Sequence, residues 1–343
     1  YSFTKFQRIE GHGVNMTAIS EVSKLSWRAI ENDYTLDQYE EELEKIRTRK
    51  RNYTPWQVAI GAGFACGGFC IQFGCDWMAF LYASIAAIIG MRAKCNEFGL
   101  NHYMGIAISA FIATMLAWAS TLLPAEWTST PWHPLLACAL FIVPGVPLIN
   151  FVDDMLDNYI QVGIVRAVNT LLMVSAMAFG IAFAVKLCSI GDFFPTISMV
   201  PHHNYLEYAI AAAISAMGFS MIFNIQRRLL WVVAIGGIIA VCTRNFVNLG
   251  PSTNNIGLDM GLVIGSFSGS VLVSLIAIKA VHWFHVPNHV LTIPSVIPMI
   301  PGVLMYRMLF GLINMNVQSI DQVTPLMKAI ESGVNSGLVI ICI

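Results

Sequence analysis

FIVPGVPLINFVDD, residues 141–154, decides how this chain is read. An apolar run that would otherwise form one helix is interrupted by Pro144, Gly145, Val146 and Pro147. It then passes Asn150 and meets Asp153 and Asp154. Proline inside a helix removes a backbone hydrogen bond and clashes with the preceding turn, at a cost of about 3 kcal/mol. In lipid the freed carbonyls have no water to turn to. The interruption recurs as IPMIPGVLMYR, residues 297–307, which carries Pro298, Pro301, Gly302 and Arg307. A sequence that breaks an apolar helix twice, in matching places, uses the break.

The surroundings of these breaks are membrane-like. The chain has 343 residues, is 56% hydrophobic and 11% charged, and has a mean hydropathy of +0.66. Soluble domains carry roughly 25% charged residues. Apolar segments recur near 57–73, 76–91, 102–123, 135–152, 164–187, 205–224, 229–243, 258–281, 291–312 and 326–343. Segments of this length read as transmembrane helices. The fold class is therefore an all-α polytopic membrane protein of about ten transmembrane helices, with the fourth helix of each half broken.

Several function classes find no support. A net charge of −1 offers nothing to a nucleic acid. The eight cysteines form no CxxC pair and read as small apolar helix residues. His202, His203, His282 and His285 have no partner at metal-ligand spacing. There is no phosphate-binding GxxxxGK[ST] loop, and no nucleophile constellation suggests hydrolysis. No metal, cofactor or enzymatic activity is implied. The chain starts at Tyr1 and ends within an apolar run at Ile343, so both ends read as truncated.

Residues 1–55 form the one long polar region, a cytosolic helical segment. Thr17 to Asn32 has amphipathic spacing, and Thr35 with Gln38 is a capping-box pattern. The helix after it carries acids early (Asp37, Glu40, Glu41, Glu42) and bases late, as the helix dipole favours. It closes on Lys45, Arg47, Arg49, Lys50 and Arg51, directly before the first apolar span. Basic residues concentrate on the side that holds this end, which places the N-terminus in the cytosol.

Two halves follow, 56–190 and 205–343, joined by a linker at 191–204. GGFCIQFG at 67–74 matches MGFSMIFN at 217–224, and IVPGV at 142–146 matches MIPGV at 299–303. With five segments each, the halves would enter the membrane from opposite sides, as inverted repeats of secondary transporters do.

The candidate site residues cluster at the breaks. Helical spacing puts Asn150, Asp154 and Asp157 or Asn158 on one face. A carboxylate deep in a bilayer costs at least about 2.5–3.5 kcal/mol, so such acids face cavities and carry function. Asp154 is the candidate proton carrier, or else the repeller or partner of a charged substrate; Asp157 reads as a solvated loop acid. Arg166 is placed to pair with an Asp of 153–157. Arg244 and Arg307 either bind a substrate carboxylate through a guanidinium fork or snorkel to the interface. Gln72, Asn169 and Asn224 suit helix–helix hydrogen bonds, with Asn224 also a pathway candidate. Gly61, Gly63, Gly67, Gly68 and Gly74 suit close packing.

These residues resemble the threonine/serine exporter (ThrE) family. PGVPLIN with Asp154, Met155, Gly163 and Arg166 is similar to its first membrane half. GFSMIFN at 218–224, Trp231, Arg244 and IPMIPG at 297–302 are similar to its second, and Gly13 to Val22 resemble the end of its polar N-terminal region. Asp153 departs from the pattern as an extra acid. The resemblance implies a fused form of an exporter that also occurs as two subunits, located in the bacterial inner membrane. It implies export of small hydrophilic metabolites, threonine and serine among them, driven by the proton motive force. The split version resembles a dicarboxylate (succinate) exporter. Expected partners are thus a small-molecule substrate, protons and membrane lipid, with a passive channel or facilitator as the alternative.

Overall fold

Capping decides where the first helices begin. The computed structural model describes residues 13–95, 100–122, 124, 126–188, 203–251, 256–301, 304 and 323–343, and among them there is no strand. α1 (Met16–Glu31) starts at Asn15, whose Oδ1 accepts from the Ala18 amide at 3.2 Å. α2 (Leu36–Thr48) starts with the expected capping box: Thr35 Oγ1 accepts from the Gln38 amide, and Gln38 Oε1 accepts from the Thr35 amide at 2.9 Å.

Six helical segments are long and apolar enough to cross a membrane, which makes the chain a multi-pass membrane protein. They are Trp77–Cys95 (α4), His102–Leu122 (α5, His102–Trp118, extended by a 3-10 turn), Ile160–Leu187 (α8), Tyr205–Ile222 (α9), Arg227–Asn248 (a 3-10 turn, then α10, Leu230–Asn248) and Leu262–Phe284 (α11). α3 (Pro55–Gln72) matches α9 in length but is glycine-rich, and falls outside this set.

The expected breaks in the two stretches are present among the described residues. The stretch 135–152 divides into α6 (Pro134–Ala137), a 3-10 turn (Leu140–Ile142) and α7 (Gly145–Leu156). The stretch from 291 divides likewise into α12 (Asn288–Val296) and a 3-10 turn (Ile297–Met299) that halts at Ile300 and Pro301. Gly302 and Arg307 lie outside the described residues, as do His202 and most of the 191–204 linker. α13 (Val323–Cys342) closes the chain.

α3 and α9 form the most extensively packed helix pair. They run antiparallel and touch through small residues. A Cβ on Gly61 would lie 2.9 Å from the Gly218 carbonyl, and one on Gly68 would lie 2.5 Å from the Ala211 carbonyl. Midway, Ser215 Oγ donates to the Ala65 carbonyl at 3.2 Å. Lipid tails are as apolar as leucine, so close backbone approach and van der Waals contact must hold such a pair together. Around it α4 packs on α3, α10 on α9, α5 on α4 and α11 on α10.

The two central helices share their numbering as well as their length, since adding 150 to a position in α3 gives its match in α9. Both N-cap amides are accepted by the side chain three residues on: Thr54 by Gln57 at 3.1 Å, Asn204 by Glu207 at 3.0 Å. Both C-termini close in a Schellman motif. Gly74 (φ 85°) and Asn224 (φ 58°) take the left-handed position. Cys75 N donates to the Cys70 carbonyl at 3.1 Å, and Ile225 N to the Ser220 carbonyl at 3.0 Å.

Gly218→Leu is expected to abolish folding of the pair, because its Cβ would strike the Gly61 carbonyl and the Ala65 backbone. Ordinary overpacking costs about 1–3 kcal/mol, and here neither obstacle is a side chain that can move. Gly337→Leu, with nothing within 4 Å, should be tolerated. Thermal unfolding and size-exclusion profiles of the two purified variants check this contrast.

Candidate functional site: an apolar centre between two polar ends

The first break is an inverse γ-turn. Pro144 has φ −77° and ψ 64°, and the Gly145 amide donates to the Val143 carbonyl at 2.8 Å across it. Pro147 falls in the first turn of α7, where its missing N–H costs no helical bond. At the second break the Ile300 amide closes onto the Ile297 carbonyl at 2.9 Å just before Pro301, and Pro298 sits inside the 3-10 turn.

The two breaks meet in the core. Phe69, Phe219, Leu140, Ile297, Val143, Ile300 and Gly145 surround a cavity with room for about one water molecule. Six of the seven are matched pairs in the two halves: Phe69 with Phe219, Leu140 with Ile297, Val143 with Ile300. The phenyl rings meet edge to face at 5.8 Å. Gly145 is needed for close approach, since a Cβ there would lie 2.7 Å from Ile300 Cδ1. Among the described residues, the lining of this cavity is apolar, and the polar clusters stand at the two ends of the α3–α9 pair.

At the end where α9 closes, Asn224 is buried and fully engaged. Its Oδ1 accepts from the Asn52 amide at 2.8 Å and its Nδ2 donates to Asn15 Oδ1 at 2.8 Å. Thr17 Oγ1 donates to its carbonyl, and the Met16 amide donates to the Phe223 carbonyl at 3.0 Å. α1 is thereby latched to the second half. Arg227 donates to the Asn52 carbonyl at 2.9 Å and Gln57 Oε1 at 3.0 Å, and its guanidinium lies 5.3 Å from the Tyr53 ring centroid.

At the other end Trp77 Nε1 donates to Glu207 Oε1 at 3.4 Å. Trp77 and Glu207 are the 150-residue counterparts of Arg227 and Gln57. His203 bridges Glu207 Oε2 at 2.9 Å and the Cys75 carbonyl at 2.7 Å. Asp76 caps α4 by accepting from the Ala79 amide at 2.7 Å, and holds the 126–131 loop through Thr128 Oγ1 at 2.8 Å and the Ser129 amide at 2.7 Å. Burial pushes the Asp76 carboxyl up, but these hydrogen bonds outweigh it and hold the group below its ordinary value. Arg244 reaches Gln72 Oε1 at 3.4 Å and Asn245 Oδ1 at 3.0 Å.

Asp154 sits on the last turns of α7 and pairs with Arg166 of α8, Oδ2 to Nη1 at 2.6 Å, with 17% and 40% of the side chains exposed. The turn between them is a third Schellman motif: the Tyr159 amide donates to the Asp154 carbonyl at 2.7 Å, with Asn158 left-handed at φ 65°. Gly163 lets α8 approach, for a Cβ there would lie 2.7 Å from Met155. The helix ends at Leu156, so Asp157 and Asn158 do not continue the face of Asn150 and Asp154. Asp157 caps the helix and is exposed, as is Asp153, while Asn150 is half-buried. Asn169 accepts from Tyr103 Oη at 2.7 Å, joining α5 to α8.

Sequence reasoning passed over Asp76, Glu207 and Tyr208. TPWQ at 54–57 and NYLE at 204–207 carried the capping signal, and Asp76 stands one residue before its helix. Nothing local distinguished Tyr208 from any aromatic residue in an apolar span.

Apolar helices around two breaks, with a different polar cluster at each end, define a multi-pass membrane protein. The chain belongs to the threonine/serine exporter family: the family described as "Putative threonine/serine exporter" matches residues 1–188, and the one described as "Threonine/Serine exporter, ThrE" matches residues 208–343. Over 186 residues the chain is 26% identical to the "Probable succinate transporter subunit YjjP" of Klebsiella aerogenes, covering 54% of this chain and 71% of that protein. It is 27% identical to the protein of the same name in Escherichia coli (strain K12), covering 54% and 72%. No solved structure matches the chain.

The depressed Asp76 carboxyl sets a pH expectation. A group whose pKa is lowered on folding stabilises above its unfolded value, about 3.9, and loses that contribution as pH falls through the folded value. Asp76→Asn should therefore melt below wild type at pH 7, and the gap should close under acid conditions. Melting curves of both proteins from pH 7 down to the acid limit of the detergent test it.

Proposed function

We propose that the chain is a secondary active exporter of small hydrophilic metabolites, driven by the proton gradient. The observation that carries this reading is the small apolar cavity where the two matched breaks meet, with distinct polar clusters beyond it at either end. Such a centre would give access to one side at a time if one half rocks against the other around α3 and α9. The shared caps, the antiparallel crossing and the matched lining residues support two five-helix repeats of inverted topology. The basic run 45–51 before the first span favours a cytosolic N-terminus in the inner membrane.

Asp154 is the proton-coupling residue in this reading. Its carboxylate holds Arg166 across the α7–α8 turn, directly behind the first break. Protonating Asp154 removes the charge that holds Arg166, which frees α7 to move against α8. Pro144, Gly145, Pro147 and Asn150 shape the path beside it, and Pro298 and Pro301 shape the matching path in the other half.

Threonine and serine suit the family assignment. The names of the two relatives favour succinate as a second reading, since both matched proteins are called probable succinate transporter subunits. Either cargo carries a carboxylate.

Asp154→Asn should retain folded protein while losing gradient-driven transport. The measurement is efflux of serine, threonine and succinate from loaded vesicles with and without an imposed pH gradient. Undiminished gradient-driven efflux in the variant would sink the coupling role, and flux indifferent to the gradient in wild type would favour a passive facilitator.

A further inference from the structure

We infer that Gln72, Tyr208 and Arg244 form a binding site for a carboxylate group, at the Trp77–Glu207 end of the α3–α9 pair. The inference rests on the exporter reading and adds to it the residues that recognise the cargo.

The chemistry of the cluster is one-sided. Tyr208 is 1% exposed and Gln72 is 9% exposed, yet neither the Tyr208 hydroxyl proton nor Gln72 Nε2 has an acceptor. Both are donors. Tyr208 Oη lies near the His203 backbone amide, which leaves its own proton without an acceptor. The register set by Gly61 with Gly218, Ala65 with Ser215 and Gly68 with Ala211 places Tyr208 opposite Gln72. Arg244 stands within electrostatic range of Tyr208 and touches Gln72 Oε1. Neutral amide oxygens hold the guanidinium, and among the described residues no carboxylate pairs with it. The nearby Glu207 carboxylate is already engaged by His203, Trp77 and the Asn204 amide.

Buried donors without acceptors are rare in native proteins and call for a specific cause. Here the other half of the chain supplies a control. Val58, Ile222, Lys94 and Cys95 occupy the positions matching Tyr208, Gln72, Arg244 and Asn245. The mirrored end thus packs the same crossing with Val58 and Ile222, so helix packing alone does not need a tyrosine hydroxyl or a glutamine amide. Two neutral donors beside a partly exposed guanidinium lack one thing, an anionic acceptor. A planar carboxylate, able to take the guanidinium fork and further donors together, fits that set.

The test is equilibrium binding to the purified full chain, by calorimetric titration with succinate, L-serine and L-threonine, and with succinamide as the uncharged counterpart of succinate. At least one carboxylate should bind wild type, and succinamide should bind at least about tenfold more weakly than succinate. Tyr208→Phe and Gln72→Ile should each weaken the carboxylate by about tenfold. Arg244→Lys should weaken it as well, because it keeps the charge but loses the fork. Tyr208→Phe removes one buried hydroxyl whose proton has no acceptor, so its unliganded melting temperature should stay close to that of wild type, which separates binding from folding. Carboxylate binding unchanged in these variants, or no preference for succinate over succinamide, overturns the site. So does a wild type that binds none of the three. Gradient-driven efflux lost in Asp154→Asn is read in vesicles, so the exporter reading stands or falls separately.

Discussion

Everything else in the structure depends on how closely α3 can approach α9. The crossing is made of Gly61 on Gly218 and Gly68 on Ala211, with Ser215 donating to the Ala65 carbonyl between them. No leucine-sized residue fits there, and the apolar surroundings give no hydrophobic bonus for joining the helices. Because the backbones nearly touch, the rings of Phe69 and Phe219 can meet edge to face across the crossing. The two broken segments can then close over them. A wider crossing would part the two rings and enlarge the small apolar cavity beside them.

The equivalence of the halves is deepest in backbone features and shallowest in side-chain chemistry. Both central helices have the same length, the same N-cap acceptor and the same Schellman ending. Beyond the caps the chemistry diverges. Arg227 and Gln57 at one end correspond to Trp77 and Glu207 at the other, and Gln226, which donates to Glu21 Oε1 at 3.0 Å, corresponds to Asp76. A shared scaffold holds the apolar centre, and unshared side chains give each end its own partner: α1 on one side, the 126–131 loop on the other.

Much of this was legible in the sequence because it is local. Proline breaks, the Thr35 capping box, the amphipathic spacing of α1 and the glycine-rich face of α3 depend on residues within a turn or two of each other. The pairing of Arg166 with Asp154 was within reach for the same reason, since a tight turn separates them. What stayed hidden was set by contacts between distant segments. Asn224 reads as one more polar residue in an apolar span, and only the fold shows that it clasps Asn15 and Asn52 about 170 to 210 positions away. The tie between Arg244 and Gln72 spans a similar distance. Helical spacing carried the face of Asn150 and Asp154 too far, because it gives no warning that α7 stops at Leu156.

The latch at Asn224 has a consequence for how the chain is divided into parts. By position, α1 precedes the first half and would be counted with it. By contact, Asn15, Met16 and Thr17 hold on to residues 223 and 224, at the foot of the second half's central helix. The polar segment is thus a crossed strap: whatever pulls on it acts first on the half to which it is not joined.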